Sequence, residues 1–221
     1  LSKATGNYSS AYGTLANANG GGSMAFGAGS LATGLGSIAH GVNSTAAATN
    51  AVVFGTEAGA LGEDATAIGY SAVALGVDST AIGKKSNASK LNATALGAES
   101  KATGISSTAL GDAAYASALR AIAVGAAARS SAQSSTAIGS AANASALGAL
   151  AIGTLSNATA TDSIALGYQS NSQYANSTAI GAGSATNRAD QIMLGKASTE
   201  VTVANLANGS QAGNAIVTAN A

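Results

Sequence analysis

The chain repeats one pattern of apolar, small and glycine positions every 14 residues, without insertion, from Tyr12 to Gly195. In each copy a bulky residue precedes a glycine, and alanine precedes the bulky one in all copies except those with Val53 and Met193, as in Thr80-Ala81-Ile82-Gly83. Alternation of this kind predicts a short strand, because successive strand side chains point to opposite faces. The glycine predicts a corner. The repeated glycines, called framework glycines below, are Gly13, Gly27, Gly41, Gly55, Gly69, Gly83, Gly97, Gly111, Gly125, Gly139, Gly153, Gly167, Gly181 and Gly195.

The second half of each repeat carries its own alternation. Ser or Ala follows the framework glycine by three residues and Ala or Ser by five, with an unrestricted residue between them, as in Ser86-Asn87-Ala88. Seven residues after the framework glycine a second glycine is common, as at Gly76. Each repeat therefore predicts two strands and two corners. Such a short unit is stable only when stacked, so the sequence predicts an all-β parallel roll with 14-residue turns.

Burial of apolar side chains gives a first expectation for the orientation of the strands. We expect the bulky residue before each framework glycine, and the Ser/Ala positions of the second strand, to face the interior. The small residue of the first strand would then point outward. Because it is nearly always alanine, we expect it to pack against other chains. The alanines predicted at this interface are Ala67, Ala81, Ala95, Ala109, Ala137, Ala151, Ala165 and Ala179.

Composition excludes several classes of protein. Aromatic residues make up 4% and charged residues 8%, with 29 glycines and no proline, so any core is thin. Nine basic residues balance nine acidic ones, which leaves no basic footprint for nucleic acid. Without cysteine there are no disulfides. No apolar run of about 18 residues occurs, so we expect no direct membrane insertion of this segment.

The period divides the chain into two parts. Residues 1–195 are predicted to form one roll of about fourteen repeats, and residues 196–221 lose the period. The second part is expected to be a terminal cap or a neck-like adaptor.

The sequence contains no recognisable catalytic set. His40 is the only histidine and occupies the bulky column between Phe26 and Phe54, where a packing role is expected. One histidine without cysteine cannot form a common zinc site, and it offers only one base for a Ser-His-Asp triad. We therefore expect no enzyme activity, no metal and no cofactor.

The Ser-Thr-Ala-Ile-Gly core, as at residues 135–139, followed by small residues three and five positions on, resembles the head repeats of YadA-like trimeric autotransporter adhesins. The resemblance implies a left-handed β-roll and a homotrimer, with the first strand facing the threefold axis. It also implies an extracellular position on a bacterial surface, with the stalk and the membrane anchor outside this segment. The implied function is multivalent attachment to matrix proteins, cells or other surfaces.

Two other functions are compatible with such a roll. A phage tail fibre or extracellular filament could use it as a spacer. An ice-binding solenoid would need an outward threonine array, whereas the parity above places Thr66, Thr80, Thr94 and Thr108 with the inward bulky column. For adhesion, the free position of the second strand offers three residues suited to contact: Lys101, Tyr115 and Arg129.

Overall fold

The computed structural model describes residues 1–196 and residue 198, and this part of the chain contains no helix. The chain alternates between two parallel sheets, and every strand pairs with the strand one turn away. The register is constant: Thr80 pairs with Thr94, and Asn87 with Lys101. The predicted parallel roll with 14-residue turns is thereby confirmed. The predicted cap at 196–221 lies outside the described residues, apart from residues 196 and 198.

The strands are numbered in chain order, and odd and even numbers fall in different sheets up to the last strand. The A sheet has 13 strands of two residues each: β1 Lys3–Ala4, β3 Asn17–Ala18, β5 Leu31–Ala32, β7 Thr45–Ala46, β9 Gly59–Ala60, β11 Val73–Ala74, β13 Asn87–Ala88, β15 Lys101–Ala102, β17 Tyr115–Ala116, β19 Arg129–Ser130, β21 Asn143–Ala144, β23 Asn157–Ala158 and β25 Asn171–Ser172. The B sheet has 14 strands of three residues each: β2 Ser10–Tyr12, β4 Met24–Phe26, β6 Ile38–His40, β8 Val52–Phe54, β10 Thr66–Ile68, β12 Thr80–Ile82, β14 Thr94–Leu96, β16 Thr108–Leu110, β18 Ile122–Val124, β20 Thr136–Ile138, β22 Leu150–Ile152, β24 Ile164–Leu166, β26 Thr178–Ile180 and β27 Ile192–Leu194.

Two four-residue turns join the sheets in each repeat. In the first, the Ser86 N–H donates to the Gly83 carbonyl at 3.2 Å, and Lys85 has φ 56°. In the second, the Ser79 N–H donates to the Gly76 carbonyl at 3.3 Å, and Asp78 has φ 55°. A positive φ at the third residue is typical of a type II turn, and side chains such as Asn and Asp tolerate it best. Charged and amide residues therefore collect at the corners, where they remain in water.

The interior is built almost entirely from alanine and serine. Ala81 and Ala88 are fully buried, and Val53 is the largest fully buried side chain. Buried side chains meet directly across the interior: the hydroxyl of Ser130 in β19 lies 2.6 Å from that of Ser135, the turn residue before β20. The interior is therefore only about one pair of small side chains thick.

The predicted inward orientation of the bulky column was wrong. Phe54, Ile68 and Leu96 are 42%, 37% and 40% exposed, whereas the alanine or valine before each of them is fully buried. Strand alternation lets only one of the two columns face inside, and the narrow gap between the sheets accepts only the smaller one. The predicted inward orientation of the second strand is confirmed, since Ser86 and Ala88 are fully buried.

Buried serines offer a test of the hydrogen bonding inside the roll. The Ser107 hydroxyl donates to the Gly104 carbonyl at 2.7 Å. The buried Ser79 hydroxyl, by contrast, has no partner among the described residues. Ala65 and Ala93 occupy the same position as Ser79 in the neighbouring turns. We expect Ser79→Ala to stabilise the roll by about 1 kcal/mol and Ser107→Ala to destabilise it by a similar amount. Thermal unfolding followed by circular dichroism compares the two. Equal destabilisation by both changes would show that Ser79 has a hydrogen-bond partner after all.

Candidate subunit-contact and adhesive surfaces

The outer face of the B sheet carries an apolar stripe that runs along most of the length of the roll. Alternation places the residues on both sides of each buried alanine on this face. The threonines there are half-buried, and many of the bulky residues are exposed. The exposed bulky residues of these strands are Tyr12, Phe54, Ile68, Leu96, Leu110, Ile122, Ile138, Leu166, Ile180, Ile192 and Leu194. A monomeric soluble protein rarely leaves so long a stripe in water, so this face is suited to contact with another protein.

A second run of exposed apolar residues lies at the corner that leads into the B sheet. These residues occupy the second position of the four-residue turn, directly before the residue with positive φ. Its exposed members are Leu35, Val77, Leu91, Ile105, Leu119 and Leu147. This run widens the apolar surface along one edge of the B sheet.

Aromatic side chains stack along the first turns of the B sheet. The His40 ring lies 6.0 Å from the Phe26 ring and 5.4 Å from the Phe54 ring, both tilted. The predicted packing of His40 between these two rings is therefore seen. Its predicted inward position was wrong, since His40 is exposed on the outer face. The physical reason is again that the interior has no room for an imidazole ring.

The orientation predicted for the interface alanines was also wrong. Ala67, Ala137 and Ala179 are 0% exposed within a single chain, and so are the other predicted members, Ala81, Ala95, Ala109, Ala151 and Ala165. A side chain with no accessible surface in its own roll cannot contact a second chain. The alanines instead fill the interior opposite the Ser/Ala columns of the A sheet. Any subunit contact through the B sheet must be made by the residues that flank them.

The threonine of each B-sheet strand lies two residues before the bulky residue, so it points to the same outer face. Thr66, Thr80, Thr94 and Thr108 are half-buried residues of the outer face, in register from turn to turn. The prediction that these threonines face inward, which argued against an ice-binding face, was therefore wrong. The threonines nevertheless share their face with exposed Ile and Leu side chains, so the array is bordered by bulky groups and is not flat.

The outer face of the A sheet is polar from β13 onward, and it brings the three predicted adhesive residues together. Lys101 pairs with Tyr115, and Tyr115 with Arg129, on three consecutive turns. The Arg129 guanidinium carbon lies 5.5 Å from the centre of the Tyr115 ring. These side chains line an open cleft of 520 Å³ together with Glu99, Thr103 and Ala113. Glu99 and Thr103 were not predicted at this site, although each lies two residues from Lys101.

Hydrogen-bonded amides continue the same column. The Asn143 Nδ2 donates to the Asn157 Oδ1 at 2.8 Å, and the Asn157 Nδ2 donates to the Asn171 Oδ1 at 3.1 Å. Asn143 pairs directly with Arg129 in the sheet. The polar column thus runs over six successive turns from Lys101 to Asn171.

Within the described residues, the acidic side chains lie at the corners of the roll. Within residues 1–196 and 198, no three His, Cys, Asp or Glu side chains gather in a group that could hold a metal ion. The same part of the chain has no helix with the length and apolarity needed to span a membrane.

Comparison with known proteins agrees with the geometry of the repeat. The family model described as "YadA head domain repeat (2 copies)" matches residues 2–30, 32–58, 60–86, 74–100, 102–128, 130–156 and 158–184. Among solved structures, the collagen-binding domain of the Yersinia adhesin YadA is similar, with 30% sequence identity over 65% of this chain and 80% of that one and a TM-score of 0.48. No curated protein sequence matches the chain. The matches of the family model extend over most of the roll, from residue 2 to residue 184. The chain therefore belongs to the YadA head domain repeat family, whose fold is a left-handed parallel β-roll.

Proposed function

We propose that this chain is the head of a homotrimeric adhesin, displayed outside a bacterial cell, which attaches to matrix proteins, cells or other surfaces without catalysis. The family is one of structural adhesins. The observation that carries the proposal is the division of the roll into two unlike outer faces. One is an apolar stripe suited to subunit contact, and the other is a polar face available for ligands.

The B sheet supports the trimer. Exposed residues such as Ile68, Leu110 and Ile138 recur on this face at every turn or nearly so. Each apolar side chain removed from water contributes about 25 cal/mol per Å² of buried area, and the contributions add along the length of the roll. Three rolls that turn their B sheets toward a common axis would bury the stripe and leave all three A sheets outside.

The A sheet supports adhesion. A trimer presents three copies of each turn, so a weak contact made by one copy is reinforced by the others. A polar face of short strands, fully hydrogen-bonded between turns, also has few backbone groups left to pair with stray strands. A ligand on this face would therefore contact side chains. The outward side chain differs from turn to turn, as between Lys101 and Asn157.

Binding of the purified protein to a panel of matrix proteins, cultured cells and plastic tests the proposal. Collagen belongs in the panel because the similar Yersinia domain is described as collagen-binding. A matched control deletes residues 140–167, two whole turns of 14 residues, so that Gly139 is followed by Tyr168 in the same register. We expect the wild type to be trimeric in analytical ultracentrifugation and to bind at least one surface. The shortened roll should remain trimeric and detach faster.

Failure to bind any member of the panel, with the trimer intact, would favour a spacer in a phage tail fibre or extracellular filament. The outward threonines support one further alternative, an ice-binding face. A trimer that buries the B sheet would cover Thr80 and Thr94, so we expect no thermal hysteresis. Hysteresis that is lost in Thr80→Tyr would instead favour the ice-binding function.

A further inference from the structure

We propose that the polar column of the A sheet, from Lys101 to Asn171, is a binding trough for a linear acidic polysaccharide that lies along the roll. This inference rests on the proposed adhesive function and names a ligand class and a site for it. The residues that carry it are Lys101, Tyr115 and Arg129, with the asparagines that follow them.

The two cations are spaced by the architecture. Lys101 and Arg129 lie on strands β15 and β19, with β17 between them. Neighbouring strands are about 4.8 Å apart, so the two side chains leave the sheet roughly 10 Å from each other. Both are exposed, and neither is held in an ion pair with another described residue. Both side chains are therefore accessible to an anionic ligand that runs parallel to the stack.

Tyr115 fixes the middle of the site. Its ring is half-buried, and the Arg129 guanidinium packs over it at 5.5 Å. This cation–π contact restricts the long arginine side chain before any ligand arrives, which lowers the entropy cost of binding. A planar guanidinium also matches the geometry of a sulfate or carboxylate group, which it can bind with two parallel hydrogen bonds.

The asparagine ladder supplies neutral polar contacts beyond the cations. Asn157 uses its amide nitrogen and oxygen within the ladder, and each primary amide retains a second N–H and a second lone pair. Those groups suit the hydroxyls of a sugar chain. Because the ladder holds the amides in one orientation, they too are ordered before binding.

A saccharide fits this surface better than an acidic peptide. The strands of the A sheet are paired on both sides from β3 to β23, so a peptide cannot add to them as a further strand. The cleft is open, and its apolar lining consists of one aromatic ring, the methyl groups of Ala113 and Thr103 and the aliphatic stems of long side chains, beside polar and charged groups. A peptide would find few apolar pockets for anchoring side chains, whereas a sugar ring needs only a ring face and hydrogen-bonding groups.

Glu99 opposes an anionic ligand from the rim of the same cleft. Its carboxylate lies in the turn that leads into β15, two residues before Lys101. Removal of this charge should therefore strengthen binding, which distinguishes the cleft from a general attraction to basic residues elsewhere on the roll.

The test is binding of heparin to the full chain, measured by surface plasmon resonance, with dextran as the neutral polymer and poly-glutamate as the acidic peptide. We expect heparin to bind and to be released by salt. Lys101→Gln and Arg129→Gln should each weaken binding by about fivefold, and Glu99→Gln should strengthen it by about twofold. Lys90→Gln and Arg120→Gln, which remove exposed corner cations outside the cleft, should leave it unchanged.

Each outcome decides the proposal. No heparin binding, or equal loss with Arg120→Gln, overturns it. Poly-glutamate that binds as tightly and shows the same sensitivity to Arg129→Gln assigns the cleft to acidic peptides instead. Adhesion to the panel above, measured on the same samples, separates the two hypotheses. A wild type that adheres but ignores heparin keeps the adhesive function and rejects this ligand class.

Discussion

Replacement of Ala137 by Glu is expected to unfold the turns around it rather than only to separate the subunits. Ala137 is fully buried between the sheets, and its neighbours in the column, Ala123 and Ala151, are equally buried. A carboxylate there would have no cationic partner and no space, which costs several kcal/mol. Circular dichroism should show the loss of strand signal or a melting temperature lowered by about 10 °C or more.

The adjacent residue provides the matched control. Ile138 is 38% exposed on the outer face of the same strand. Ile138→Glu should keep the strand signal of the roll while placing three like charges within the proposed trimer contact. Analytical ultracentrifugation is then expected to show monomers or a much weaker trimer. If Ala137→Glu is folded and merely monomeric, the burial of the alanine column is wrong. If Ile138→Glu remains a stable trimer, the subunit contact lies elsewhere.

Replacement of the framework glycine Gly139 by alanine is expected to destabilise the roll by about 3 kcal/mol or more. The φ of Gly139 is 132°, a conformation that side chains rarely adopt. A Cβ at this position would lie 2.6 Å from the carbonyl carbon and oxygen of Gly153 on the next turn. Backbone atoms cannot move aside as a side chain does, so the two turns would have to separate. Thermal unfolding measures the effect.

Gly22→Ala is the control for that experiment. Gly22 also has a positive φ, 67°, but a Cβ there would have no neighbour within 4 Å. Equivalent corners carry non-glycine residues such as Asp78 and Arg120 at φ 55° and 57°. The change should therefore cost about 1 kcal/mol, the ordinary penalty for the left-handed region. Equal effects of Gly22→Ala and Gly139→Ala would mean that close approach between turns does not matter.

The sequence predicts the architecture because the period is expressed in residues that have backbone roles. Framework glycines mark the position where turns approach one another, and the constant spacing forces the in-register pairing of residues such as Thr80 and Thr94. The inward orientation of the second strand was also predictable. Its Ser/Ala columns hardly vary, while the residue between them does, and that difference identifies the restricted side.

The first strand was mispredicted because hydrophobicity was preferred over side-chain volume. Ala81 and Ile82 are both apolar, and the usual rule places the larger one inside. Here the facing sheet is too close, and the uniform smallness of the alanine column was the signal of that restriction. The isoleucines and leucines lie on the opposite, outer face of the strand, which we propose as the subunit contact. A strand whose outer face packs against another subunit can carry two apolar columns, one on each side of the strand.

The cleft was predictable in part. The 14-residue register alone brings Lys101, Tyr115 and Arg129 to adjacent turns of one face. The packing of Arg129 over Tyr115 depends on side-chain rotamers, which the repeat does not determine. Glu99 and Thr103 join the lining because the strands are only two residues long, so corner residues lie beside strand residues.

The direction of the hydrogen bonds between turns also determines how the head carries mechanical load. Bonds such as that from the Gly83 N–H to the Ile68 carbonyl, 2.8 Å long, run along the axis of the stack. A pull between the two ends of the roll therefore opens one turn at a time. Each opened turn replaces about 4.8 Å of stacked roll with 14 residues of chain, which extend to roughly 45 Å. Since each turn is bonded only to its neighbours, opened turns can close again independently. In a cell attached through such a head, the head would lengthen in equal steps under force and shorten again when the force falls.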